Sequence, residues 1–121
     1  VTVRADVFEW LERAARRGER FDLVCCDPPT YSKTKRARWT SGRQWRALAA
    51  SCLRVLAPGG ALLATSNDRR MTSGGLRAEL RAGAEEAGVT LASLRDVPPP
   101  EDFPAAIGEE PHLKGAIARL G

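Results

Sequence analysis

An acid, two prolines, an aromatic ring and a run of cations follow one another in "DPPTYSKTKRAR", residues 27–38. Asp27 ends the apolar run "FDLVCC". A carboxylate buried there without a partner would be costly, so packing alone does not explain it. Pro28 and Pro29 lock φ and carry no N–H, which fixes a turn and leaves backbone carbonyls free to accept hydrogen bonds. Tyr31, the only tyrosine, offers a flat ring, and stacking a base on such a ring is worth about 1–3 kcal/mol. Lys33, Lys35, Arg36 and Arg38 then supply charge suited to phosphate. Together these groups could hold a heteroaromatic base by its edge and face while gripping the backbone beside it. The competing reading is a rigid turn followed by solvated surface. Two further polar residues close other apolar or alternating runs, Asp6 after "VTVRA" and Asn67 after "ALLATS".

The elements that must position these groups follow from periodicity. "VTVRAD" (1–6) alternates apolar and polar residues and reads as a strand. Asp6, with Glu9 three residues on, forms a capping box that opens a helix to about Arg17, ended by Gly18. "FDLVCC" (21–26) has the near-continuous apolar pattern of a strand covered on both faces. Residues 28–40 read as loop. Ser41 and Gln44 mark the next N-cap, and Trp45, Leu48, Ala49, Cys52 and Leu56 form a helical stripe stopped by "APGG" (57–60). "ALLATSN" (61–67) reads as a buried strand. A further helix runs from Ser73 to Ala87 and closes at Gly88. "VTLASLRDV" (89–97) and "HLKGAIARL" (112–120) read as final strands joined by the Pro-rich connector 98–111. The succession predicts an α/β fold with a mainly parallel sheet. In such sheets ligands bind beyond the carboxyl ends of the strands. Asp6, Asp27, Asn67 and the basic segment all fall there.

Composition narrows the class. A length of 121 residues suits one domain or part of one. Hydrophobic content of 43% and charged content of 28% are those of a globular chain rather than a disordered one. No apolar run approaches the roughly 20 residues of a membrane span, and the first residues lack a signal-peptide layout, so no membrane partner is expected. The three cysteines form neither a disulfide framework nor a zinc-ligand spacing, and the only histidine, His112, opens a strand. Buried thiols in a reducing, cytoplasmic setting and no metal are expected. The net charge of +4 is modest but uneven. Between Asp27 and Asp68 no acid occurs, while Lys33, Lys35, Arg36, Arg38, Arg43, Arg46 and Arg54 do, so the remainder is net acidic. Such a segregated basic stretch points to a phosphate-bearing partner.

Four stretches carry a resemblance. "FDLVCCDPPTYSKTKR" resembles motif IV of the class I S-adenosylmethionine-dependent methyltransferases, in the branch acting on large-subunit ribosomal RNA at cytosine C5 or guanine N7. "LAPGGALLATSN" is similar to the helix end and strand before that family's motif VI, and "MTSGGLRAEL" to the helix that follows. "DFPAAIGEEPHLKGAIARL" is similar to its C-terminal hairpin. The resemblance implies a Rossmann-like fold with a C-terminal antiparallel hairpin and S-adenosylmethionine as cofactor. No Gly-rich loop follows a first strand here, so the chain is expected to begin at the family's third strand, with residues 1–121 the C-terminal portion of one catalytic domain. It further implies cofactor contacts from Asp6, Val7 and Asp27, a base site from Asp27, Pro28, Pro29, Tyr31 and Asn67, and RNA contacts from Lys33, Lys35, Arg36 and Arg38.

Asn67 bears on the reaction. Cytosine C5 needs a covalent nucleophile, a cysteine thiolate in the family, at motif VI or just after the motif IV aspartate. Those slots hold Asn67 and Pro28. Guanine N7 attacks with its own lone pair and needs mainly positioning, so N7 is favoured. Thr30 between Pro29 and Tyr31 counts against the amino-group methyltransferases, whose aromatic residue follows the second proline directly. A domain that binds RNA without catalysis is the alternative of a different class. A dehydrogenase is disfavoured because nothing cradles a pyrophosphate.

Overall fold

The computed structural model of the chain describes residues 2–28, 31–33, 38–98 and 113–121, with the backbone alone at 31–33 and 38–43. Helix α1, Val7–Arg16, begins where its cap dictates, with Asp6 Oδ1 accepting from Glu9 N at 3.0 Å. Gly18, at φ +76°, takes the chain out of the helix. Leu11 and Ala14 are buried, and the Trp10 ring lies 6.1 Å from that of Phe21, holding α1 against the first strand.

That strand, β1 (Phe21–Cys26), runs parallel to β4 (Leu56–Ser66). β5 (Leu91–Val97) and β6 (Lys114–Leu120) form the antiparallel hairpin expected at the C-terminal end. β6 also pairs antiparallel with β4, giving the order β1-β4-β6-β5. The sheet is thus mixed, with β1–β4 as its parallel pair. Helices α2 (Ser41–Leu53) and α3 (Ser73–Ala87) pack against each other over the face carrying Leu62, Ala64, Ala116 and Ala118. Trp45, Leu48, Leu53, Leu76 and Leu80 fill this core, each large apolar side chain contributing about 1.5–3 kcal/mol by burial. α3 closes as expected, on Gly88 at φ +72°.

Several expectations are corrected. Residues 2–5 form no strand, and Val3 is exposed. Alternation alone makes no strand without a neighbour to pair with, and among the described residues none pairs with this segment. Leu56 belongs to β4 rather than to the stripe of α2, because the helix ends at Leu53 and Val55 O accepts from Phe21 N at 2.7 Å. "APGG" is then not a helix stop but a bulge within β4, between the rungs Phe21↔Leu56 and Leu23↔Ala61. Gly59 takes φ +75° there, and a Cβ on Gly60 would meet Phe21 O at 3.1 Å.

β1 is not covered on both faces: Phe21, Val24 and Cys26 pack against the core, whereas Leu23 and Cys25 are exposed. The described helices lie over one face of β1 only, and within the described sheet it has one hydrogen-bonded neighbour. Residues 28–40 are not all loop. β2 (Tyr31–Lys33) and β3 (Arg38–Thr40) pair as an antiparallel two-stranded sheet. The Pro-rich connector from residue 99 on, His112 included, lies outside the described residues. Among those described, no helix is long and apolar enough to cross a membrane.

Candidate active site

Parallel pairing of β1 with β4 decides the geometry. The rung Cys26↔Ala64 places Asp27 level with Thr65, so Asn67 leaves the neighbouring strand about 7 Å further along the same direction. Asp27 and Asn67 are therefore brought together at the carboxyl end of the sheet. Both are exposed, and Pro28 is half-buried. Among the described residues none donates a hydrogen bond to the Asp27 carboxylate.

The remaining candidates are placed less completely. Tyr31 and Lys33 stand in β2 and Arg38 in β3, with Lys33 and Arg38 on one rung. Their side chains lie outside the described part, as do Pro29, Lys35 and Arg36 altogether. Asp6 caps α1 and Val7 is 48% exposed. Among the described residues no hydrogen bond links Asp6 to Asp27 or Asn67. Two surface hollows, one between α1 and α2 and one between α3 and β5, contain none of the candidates. No cluster of three His, Cys, Asp or Glu among the described residues is placed to hold a metal.

The cysteines behave differently from one another. Cys25 is exposed, correcting the expectation of a buried thiol, because among the described residues no helix covers its face of β1. Cys26, half-buried, points into the core at the buried Cys52. The hydrogen bond between the two thiols holds Cys26 below the ordinary cysteine range, against the opposing effects of burial and the Asp27 charge. That bond and burial push Cys52 up.

Sequence reasoning missed three residues beside the site. Asp68 is 3% exposed and Lys114 4% exposed, and Arg70 closes on the Asp68 carboxylate. The available signal was the Leu-Lys-Gly that contains Lys114, in the stretch similar to the family's C-terminal hairpin, to which no role was assigned.

No family model matches the chain. It is 31% identical over 120 residues to ribosomal RNA large subunit methyltransferase I of Salmonella arizonae, matching 98% of this chain and 30% of that protein. It is 29% identical over 119 residues to a ribosomal RNA large subunit methyltransferase of Deinococcus radiodurans, matching 98% of this chain and 29% of that one. The chain thus spans about 30% of the length of these relatives. Among solved structures, SMU.776 complexed with SAH superposes with a TM-score of 0.78 at 23% identity, over 94% of this chain and 30% of the other. The SAM-dependent methyltransferase from Agrobacterium tumefaciens superposes at 0.63 with 20% identity, over 95% and 37%. The fold is that of the S-adenosylmethionine-dependent methyltransferases. The Rossmann-like arrangement expected from the four stretches is the one observed.

Proposed function

We propose that residues 1–121 are the C-terminal portion of the catalytic domain of an S-adenosylmethionine-dependent methyltransferase that modifies a base of large-subunit ribosomal RNA, at guanine N7. The observation that carries this reading is the emergence of Asp27 and Asn67 from adjacent parallel strands at one end, directly before a basic two-stranded segment. The names of the relatives, which match nearly all of the chain, support the RNA class.

When bound, the cofactor supplies an electrophilic methyl group. The residues present fit it: Asp27 offers a carboxylate, and Asp6 spends one oxygen on Glu9 N and keeps Oδ2 for the adenine side, next to the exposed Val7. Asp27, the Pro28–Pro29 backbone and Asn67 hold the base edge, and Tyr31 stacks on its face. Lys33, Lys35, Arg36 and Arg38 grip phosphates. Guanine N7 has a lone pair of its own, so the chain's task is orientation rather than covalent activation. Cytosine C5 is the second reading, because Cys26 is the more readily ionised thiol of its pair. Its Sγ faces Cys52 rather than the strand end, which is why N7 is preferred.

The test uses the full-length protein that contains this chain, labelled S-adenosylmethionine and total ribosomal RNA. Label should enter large-subunit RNA. Tight RNA binding with no transfer would instead support the binding-only reading, and label elsewhere would end the ribosomal assignment. The same protein gives a second expectation. Lys33→Glu with Arg38→Glu should weaken RNA binding regardless of sequence and flatten the slope of log K against log salt by roughly 1.4, about 0.7 per lost phosphate contact on a single strand. An unchanged slope would make these cations mere solvated surface.

A further inference from the structure

Lys114 opens β6 and is only 4% exposed. Removing an ammonium from water is costly unless its partners are well arranged, so its surroundings are informative. Nζ donates to the backbone oxygen of Asp68 at 2.7 Å. The same oxygen accepts from Met71 N at 3.1 Å, closing the turn from Asp68 to Met71. Asp68 Oδ1 accepts from Arg70 N at 2.9 Å, and Asp68 N donates to Ser66 Oγ at 3.2 Å. Ser66 is the rung partner of Lys114. Both neighbours of Asn67 are thus tied down, Ser66 by the sheet and Asp68 by the lysine. The Asn67 side chain itself stays exposed at the strand end. The sheet has no need of a cation here, since the same face of β6 continues with Ala116 and Ala118.

We propose that Lys114 is a positioning residue for Asn67: its buried ammonium sets the path of the chain as it leaves β4 and so holds the Asn67 amide beside Asp27. The kinetic consequence rests on the proposed methyl transfer; the hold on the turn does not. Two measurements on the full-length protein therefore separate them. In Lys114→Met, which keeps the stem and loses the charge, the amides of Arg70 and Met71 should exchange faster while those within β4 and β6 stay protected. Its kcat for transfer should fall about 10²-fold, the scale of a 1 Å misplacement, with KM for the cofactor unchanged. Lys114→Arg should recover part of that loss. In an Asn67→Ala background, Lys114→Met should cost nothing more, because it acts through Asn67. Unchanged exchange at Arg70 and Met71, a loss that adds to that of Asn67→Ala, or a Lys114→Met protein that no longer folds would each overturn the proposal. If the wild type transfers no methyl group, the functional reading falls and the exchange pattern alone decides whether Lys114 holds the turn.

Discussion

RNA methylated by the full-length protein should break at a guanosine after borohydride reduction and aniline treatment, the cleavage that N7-methylguanine allows and 5-methylcytosine does not. The expectation comes from what stands at the strand ends. Pro28 and Asn67 occupy the two places from which a thiolate would reach cytosine C5 in the family the motifs resemble. The cysteines that do occur lie behind Asp27, one exposed on the strand's side and one turned into the core toward Cys52. Asp27→Ala should therefore lower the transfer rate about 10²-fold, as loss of a positioning contact does. Cys25→Ser should leave the rate alone, and Cys26→Ser should disturb only packing against α2. A resistant guanosine with label on cytosine, or transfer abolished in Cys26→Ser while the fold persists, would move the enzyme to the C5 branch.

Gly83→Ala should destabilise the fold although alanine is the better helix former. Gly83 sits within α3 where it crosses α2, and a Cβ there would stand 2.7 Å from Ala49 Cβ and 3.0 Å from both Ala50 N and Arg46 O. Two of those three neighbours are backbone atoms, which cannot swing aside. Propensity alone would favour alanine by about 1 kcal/mol. Forcing a methyl group into closed packing costs about 1–3 kcal/mol, and the rigid surroundings place this site at the upper end. Gly74 provides the control. Its nearest atom to a built Cβ is the far end of Arg77, at 3.7 Å, so Gly74→Ala should stabilise by roughly 0.4–1 kcal/mol through the unfolded chain. Urea melts of the two variants should thus shift in opposite directions. A Gly83→Ala protein at least as stable as the parent would mean that α2 and α3 can part at no cost.

Much of this molecule is written in local pattern. The Asp6 cap, the span Ser73–Ala87 and the glycine that closes it depend on residues three or four apart, so the sequence by itself determined them. It also placed Asp27 and Asn67, because a polar residue ending an apolar strand is visible without knowing the neighbours. Pairing is another matter. "VTVRAD" has the alternation of a strand and forms none, while the segment after Pro28, with no strand pattern, contains two short paired strands. A strand exists only through its partner, and a single segment does not reveal whether one is within reach. The exposure of Cys25 likewise depends on which face of β1 the helices cover. Lys114 shows the same limit at the site. Its meaning lies in a carbonyl 46 residues earlier in the chain, and only the register of β4 against β6 brings the two within hydrogen-bonding distance.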